Sequence, residues 1–299
     1  MGYQFHNDEG RSDMENPKKS AFVTKKDMIK MVAAFVLIPV IVFSGLLGGA
    51  IWLLSDHGNA GGDEIDSRAA EYITQNYPNN DFVLEKAYYA FKESRYLVNV
   101  RSQSSQDTYF QLLYDPESYE LTRDYYESYV LSGSNTRKRL ENAYNTLVEQ
   151  SLSPMTNLHT IKASFTGYAE EMSYDGRFSP EGLKTESLTL DEEYDVVAMG
   201  KDYGYIYISA ILPKEEVNLV SAMELLRQTD QRLSDTGIGY YLIEISIQDE
   251  EYLDYTVSFN LYNVHPEDLH REDTLVHLQE LWDAQEAHRQ EVKKQYEDN

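Results

Sequence analysis

The longest apolar stretch of the chain lies near its N-terminus. Residues 31–54 contain no charged side chain, and as a helix these 24 residues measure about 36 Å, more than the ~30 Å hydrocarbon core of a bilayer. Lysines precede the stretch and acidic residues follow it, which predicts a cytosolic N-terminus. The pattern therefore predicts a cytosolic tail over 1–27, a single transmembrane helix over 28–54 and a stalk over 55–64.

A cleaved signal peptide is the alternative, because Gly58-Asn59-Ala60 has the small-x-small form of a cleavage site. The apolar stretch is about twice as long as a signal-peptide core, and roughly 30 residues precede it. An uncleaved signal-anchor is therefore the favoured interpretation. Within it, Gly45 and Gly49 form a GxxxG pattern that allows two helices to pack closely, although such patterns also arise by chance.

Residues 65–153 are typical of a first α+β domain. Ile65, Ala69 and Ile73 have the spacing of one helix face. Strand patterns follow at 82–91, 96–101, 108–114 and 126–131. Asn135 is a favourable N-cap, and from there to the end of this domain the apolar residues recur with the period of a helix.

Residues 154–299 are typical of a second α+β domain, with the boundary at Ser153-Pro154. Strands are predicted at 161–168, 203–212, 238–247 and 253–262, and helices at 213–233 and from 273 onward. Residues 169–200 have no clear pattern. The strict alternation over 253–262 favours an antiparallel sheet with one wet face. The predicted fold class is α+β, with a single transmembrane helix followed by two tandem domains of antiparallel sheet packed with helices.

Charge and cysteine content restrict the partners of the outer part. Residues 1–30 carry six basic and five acidic groups, and the rest carries 20 basic and 46 acidic groups, for a total of −25. This surface repels nucleic acid and attracts cationic peptides or divalent ions, although solubility in a charged envelope explains it more simply. Because the chain has no cysteine, it has no disulfides and must be held by its own core, which suits a bacterial surface protein.

Histidines near the last predicted helix form one candidate metal site. His277 and Glu280 are three positions apart, and His265 and His270 lie upstream among several acids. Zinc requires ligands on one face and an enclosed site around them. Scattered histidines on an acidic helix are more often surface residues, so no metal ligand is predicted.

Arg137-Lys138-Arg139 is the only basic triplet beyond the apolar stretch. It falls at a predicted helix N-terminus, where positive charge opposes the helix dipole. Pairing with acids such as Asp124 and Glu127 is one explanation. Binding of an anionic wall polymer or phosphate is the other.

The remaining polar patterns give no reactive site. The acidic runs at 191–193 and 249–251 are typical of solvated loops, since catalysis needs carboxyls that converge in a cleft. No phosphate-binding glycine loop, nucleophile elbow or HExxH motif is present. Sheet packing explains most of the 25 tyrosines, and an aromatic face for carbohydrate or peptide is the alternative. The sequence thus predicts no catalytic, cofactor-binding or metal-ligating residue, no cofactor and no enzymatic activity.

Several short motifs between residues 70 and 152 form a characteristic combination. They are Ala70-Glu71-Tyr72-Ile73, Tyr77-Pro78, Asp81-Phe82, Phe91-Lys92, Tyr96, Val98, Val100, Asp107-Thr108-Tyr109-Phe110, Asn135-Thr136 and Arg139-Leu140. With them the stretch resembles the YfjL-like membrane-anchored proteins of Gram-positive bacteria. The second half is similar only through Gly204-Tyr205-Ile206-Tyr207. The resemblance implies a topology, a bacterial source and two tandem α+β modules, and it supplies no catalytic or binding residue.

Three functions are consistent with these observations. The leading hypothesis is a binding module of the cell envelope, anchored in the cell membrane with its C-terminal domains extracellular. Its partner would be a peptide, a wall component or a membrane protein, and not nucleic acid. The alternative is an accessory sensor subunit that signals to a membrane partner. The third is a hydrolase whose serine, histidine and aspartate converge only in three dimensions.

Overall fold

The computed structural model describes residues 61–166, 182–251 and 258–297 of the chain. The helices in these ranges are α1 (Gly62–Asn76), α2 (Ser134–Leu152), α3 (Val196–Tyr203), α4 (Leu219–Asp235), α5 (Pro266–Leu269) and α6 (Thr274–Glu297). The strands are β1 (Phe82–Leu84), β2 (Tyr88–Ala90), β3 (Arg95–Ser102), β4 (Tyr109–Tyr114), β5 (Leu121–Asp124), β6 (Leu158–Phe165), β7 (Gly204–Leu212), β8 (Leu242–Asp249) and β9 (Ser258–Val264).

The first sheet is antiparallel and has the order β1-β3-β4-β5, with β2 beside the start of β3. Alternate residues of β3 and β4 are buried, and α1 covers them with Ile65, Ala69 and Ile73, as their spacing predicts. One predicted strand is wrong, because residues 127–131 form a π-helical turn. The fifth strand of this sheet is instead β5.

Tyrosine hydroxyls fasten α1 to the far edge of this sheet. Tyr72 and Tyr77 both donate to Oδ2 of Asp124, at 2.9 and 2.7 Å, and the backbone N–H of Tyr126 donates to Oδ1 at 2.7 Å. Burial, together with the nearby Asp124 carboxylate, raises the pKa of Tyr72 to about 12. Both hydroxyls are therefore donors at neutral pH, and packing explains these tyrosines.

The second sheet has the order β6-β7-β8-β9 and is mixed. Strands β7 and β8 run parallel, from Tyr205 opposite Leu242 to Leu212 opposite Asp249. Helix α4 lies between them in the chain and forms the crossover that returns the chain to the end of the sheet where β7 begins. Two consecutive parallel strands require such a crossover. The expectation of an antiparallel second sheet is therefore wrong for this pair, whereas β6–β7 and β8–β9 are antiparallel.

The predicted fold class is also corrected at its N-terminal part. In the three ranges given above, no helix is both long and apolar enough to cross a bilayer. The predicted span over 28–54, with its Gly45 and Gly49, lies outside the described residues. What the described residues form is an α+β unit of two sheets and their helices.

Helix α2 belongs to the core of the second sheet. Its buried side chains Leu140, Tyr144, Val148 and Leu152 share a hydrophobic cluster with strands β6 to β9 and helix α4. Residues 61–299 accordingly form one compact unit. A boundary at residue 153 would separate this helix from the sheet that it covers.

Helix α2 also covers the free edge of β6. Asn145 Oδ1 accepts from the N–H of Ala163 at 2.6 Å, and Glu141 Oε1 accepts from the N–H of Phe165 at 3.2 Å. Arg137 donates to the Phe165 carbonyl at 2.6 Å. These bonds satisfy backbone groups that an exposed edge strand would offer to another chain.

Substitution of Gly204 by alanine should destabilise this unit. A Cβ at Gly204 would collide with the Gly200 carbonyl and with the hydroxyl of Tyr144, which is fully buried and donates to the Gly239 carbonyl at 2.8 Å. Overpacking of this kind costs ~1–3 kcal/mol. We expect urea unfolding of Gly204→Ala to show a loss in that range.

The matched control is Gly204→Ala combined with Tyr144→Phe, which removes the Tyr144 hydroxyl, one of the three atoms that an added Cβ would approach too closely. Because the two positions touch, the double variant should lose less stability than the sum of the single variants. Additive losses would contradict the proposed collision.

Candidate binding groove

The outer face of the first sheet carries a chain of polar side chains that bond to one another. Asn99 on β3 lies directly opposite Gln111 on β4, both on the face away from α1. Asn99 Nδ2 donates to Glu85 Oε2 at 3.0 Å, and Gln111 Nε2 donates to Asn99 Oδ1 at 3.0 Å. We call these three side chains the amide relay.

The amide relay lies in a groove with a volume of about 570 Å³. The sheet forms the floor, and the start of α2 forms one wall. The flanking side chains are Arg101, Tyr109, Tyr129, Ser134 and Lys138. The volume falls within the ~300–1,000 Å³ that is usual for small-ligand sites. We call this feature the relay groove.

The side-chain amide of Asn135 connects the wall of the relay groove to its floor. Its Nδ2 donates to the Tyr109 carbonyl at 2.6 Å and to the Asp107 carbonyl at 2.9 Å. The prediction of Asn135 as the helix N-cap is wrong, because Gly133 occupies that position with φ 74°. A left-handed residue there is best supplied by glycine.

A buried ion pair fixes α2 from the other side. Arg139 Nε and Nη2 donate to the two oxygens of Asp107 at 2.8 and 3.0 Å, and the Asp191 N–H donates to Oδ2 at 2.9 Å. The Asp107 side chain has no exposed surface. Burial on its own raises the pKa of this carboxyl, but Arg139 and the N–H of Asp191 outweigh it and hold the pKa below its usual range.

The basic triplet is thus divided among three roles. Arg137 pairs with Glu141 at 2.9 Å, and Arg139 pairs with Asp107. Pairing with acids is therefore confirmed for the two arginines, but the predicted partners Asp124 and Glu127 are wrong. In the part of the chain that the structure describes, Lys138 has no ion-pair partner, and it lines the relay groove.

Tyrosines border the relay groove on both sides. Tyr109 is 36% exposed, and Tyr129 stacks on Tyr125 with ring centres 4.9 Å apart. The guanidinium of Arg123 lies 4.5 Å from the centre of the Tyr125 ring. Burial and the nearby Asp107 charge raise the pKa of Tyr109, so its hydroxyl stays protonated at neutral pH.

The histidines that suggested a metal site are held apart by separate partners. His277 Nε2 lies 2.8 Å from Asp268 Oδ1, and His270 Nε2 lies 3.1 Å from Asp230 Oδ2. Over the described ranges no group of three or more histidine, aspartate or glutamate side chains could hold a metal ion. Two His–Asp pairs connect helices α4, α5 and α6 instead.

A second cavity, of about 550 Å³, lies beside His270 and Asp230. The other oxygen of Asp230 accepts from the buried hydroxyl of Tyr240 at 2.7 Å. Burial, with the Asp230 charge, raises the pKa of Tyr240 above its usual range. Both carboxylate oxygens of Asp230 therefore already contact side chains of the protein, so this group of residues serves to hold the fold together.

The acidic runs are mostly exposed, as the sequence predicts, with one exception. Asp191 has φ 60° and is exposed, although its carboxylate accepts from the N–H of the buried Asp107 at 3.0 Å. Asp249, at the end of β8, is fully buried and accepts from the Glu251 N–H at 2.9 Å. The prediction of solvated loop charge is therefore wrong for Asp249 alone, since the other acids of the two runs are exposed.

No known protein family, curated protein or solved structure matches the chain. The similarity to the YfjL-like proteins therefore stays a prediction from the motifs quoted above.

Asn99 and Gln111 were missed by the sequence reasoning. They lie at polar positions of two strands in which apolar and polar residues alternate. Their register across the sheet was the missing information, because it alone shows that the two amides meet.

Proposed function

We propose that residues 61–299 form a binding module of the cell envelope that holds a polar ligand in the relay groove. The observation that carries the proposal is the amide relay itself. Side-chain amides on a solvent-facing sheet ordinarily bond to water, whereas here each bonds to a neighbour across the sheet. Their remaining hydrogen-bonding groups are consequently held in fixed directions before a ligand arrives.

The walls of the relay groove support the same conclusion. Asn135 fixes the backbone beneath Tyr109, and the Arg139–Asp107 pair fixes the helix that carries Ser134 and Lys138. Because the sheet and α2 hold the floor and one wall of the groove in place, these parts should lose little conformational entropy on binding. This favours recognition as the role of this surface, and we propose no enzymatic activity for it.

A location at the cell membrane is a proposal that rests on the amino-acid sequence alone. It depends on the uncharged stretch 31–54 and on the lysines before it. A membrane-protein partner and the sensor role likewise remain predictions, because no contact among the described residues favours them over ligand binding.

Removal of one amide of the relay should weaken ligand capture while leaving the fold intact. We expect the full chain in detergent to retain ligands from an array of glycans and peptides, and Asn99→Ala to retain them about tenfold more weakly. The loss of hydrogen bonds to one amide corresponds to about a tenfold weaker affinity. The measurement is fluorescence of the labelled protein on the array.

The control is Asn142→Ala, which removes an exposed amide from α2, away from the groove. Its array pattern should equal that of the unaltered chain. Identical patterns for Asn99→Ala and the unaltered chain, or no captured ligand at all, would contradict a binding role for the relay groove.

A further inference from the structure

The hydrogen-bonding groups that the amide relay leaves unused are mixed in kind. After its two internal bonds, the relay still offers the carbonyl oxygen of Gln111 and one further N–H on each of Asn99 and Gln111. Two donors and one acceptor therefore lie on neighbouring side chains. Hydroxyl groups match this pattern best, because each can donate and accept at once.

An extended peptide fits the floor of the groove poorly. Peptides commonly bind sheets by adding a strand at a free edge, where backbone groups are unpaired. Strand β3 is paired with β1, β2 and β4, and β4 is paired with β3 and β5. The groove thus offers side chains in place of an open edge.

The charges of the groove disfavour ligands of high charge. Glu85 lies 4.0 Å from Arg101, and Lys138 is the remaining charge, so the lining has a formal charge of +1. A polyanion gains only this one cation and is repelled by a protein of net charge −25. A polycation meets Arg101 and Lys138 at the groove itself.

The tyrosines at the rim supply flat apolar surface next to polar groups. Tyr109 is exposed beside the relay, and its ring can cover an apolar face, while the half-buried Tyr129, stacked on Tyr125, borders the groove with the rest of its ring. A sugar ring combines an apolar C–H face with hydroxyls around its edge. Its two kinds of surface correspond to the two kinds of surface in the groove.

From this combination we infer that the relay groove binds a neutral, hydroxyl-rich glycan. The inference rests on the proposed binding function and adds the class of ligand. The amide relay bonds the hydroxyls, and the tyrosines contact the ring faces. Lys138, at the rim, contributes little to affinity.

The test is calorimetric titration of the full chain with three probes of similar length. They are a neutral oligosaccharide of N-acetylglucosamine, an oligomer of galacturonic acid and a lysine oligomer. We expect the neutral oligosaccharide to bind, with an affinity that is nearly constant between roughly 50 and 500 mM salt, because screening changes only charge–charge interactions. The two charged oligomers should bind at least about tenfold more weakly.

Two variants separate the roles within the groove. Asn99→Leu should weaken the neutral oligosaccharide about tenfold or more, whereas Lys138→Gln should change it less than about twofold. Because Asn99→Leu could disturb the sheet, Gln111→Asn, which shortens the side chain by one methylene, serves as a milder second variant. Circular dichroism confirms that each variant is folded.

The outcomes distinguish failure of the neutral-glycan inference from failure of the proposed binding function. Tighter binding of the galacturonate oligomer that is lost in Lys138→Gln would overturn the neutral-glycan inference and leave the groove as a binding site. Tighter binding of the lysine oligomer that is lost in Asn99→Leu would do the same. Absence of binding by all three probes, together with an empty array, would overturn the proposed function as well.

Discussion

A fragment that begins at residue 154 should be unfolded under conditions in which residues 61–299 are folded. The fragment contains all of β6 to β9 but lacks α2, and with it the buried side chains Leu140, Tyr144, Val148 and Leu152. Each side chain of this size contributes ~1.5–3 kcal/mol when buried. Their sum of about 6–12 kcal/mol is comparable with the entire stability of a domain, ~5–15 kcal/mol.

The loss of hydrogen bonds adds to this effect. Without Asn145, Glu141 and Arg137, the N–H groups of Ala163 and Phe165 and the Phe165 carbonyl lose their partners along β6. The uncovered edge is then free to pair with another copy of the fragment. Circular dichroism and dispersion of amide proton shifts measure the result, and we expect both to show an unfolded or aggregated chain.

The matched control is a fragment that begins at Gly133 and so includes α2. It should recover helical and strand signals, although not the whole stability of residues 61–299, because its α2 lacks the contacts to the first sheet. A folded, monomeric 154–299 fragment would show that the second sheet is an independent domain with its boundary at residue 153.

Replacement of Asp107 by asparagine should be the most damaging single polar substitution among the described residues. The variant leaves the Arg139 guanidinium against a neutral amide at a site where the carboxylate is fully buried. Removal of one partner of a buried ion pair costs ~3–5 kcal/mol. We expect urea unfolding at pH 7 to show a decrease in this range.

The pH dependence of this effect follows from the pKa of Asp107. Its value in the folded state lies below the usual ~3.9 of the unfolded chain. The ionised group therefore stabilises the protein above that pH, and the contribution is lost as the pH falls through the folded-state pKa. The difference in unfolding free energy between the unaltered protein and Asp107→Asn should accordingly shrink in acid.

Asp273→Asn is the matched control for Asp107→Asn. Arg271 makes the same two-bond contact to Asp273, at 2.9 and 3.1 Å, but both side chains are about half exposed. Water and salt screen such a pair, so its loss should have a much smaller effect. Equal effects of the two substitutions would contradict the importance of burial at Asp107.

Local patterns in the sequence determined most of the helices and strands. Ile65, Ala69 and Ile73 identified α1, and the alternation over 96–101 identified β3, because helix and strand periods are properties of neighbouring residues. The errors occurred where distant residues decide the conformation. Asn135 has the chemistry of an N-cap, yet its amide is used for the carbonyls of Asp107 and Tyr109.

The sequence by itself thus determined the α+β character, the acidic surface and the tyrosine-rich first sheet. Only the tertiary structure decided that α2 covers the second sheet, that β7 and β8 run parallel, and that Glu85, Asn99 and Gln111 meet in one groove. The physical reason is the same in each case. Strand register and helix packing bring together residues that are far apart in the chain, and a periodic pattern records only which side of an element faces inward.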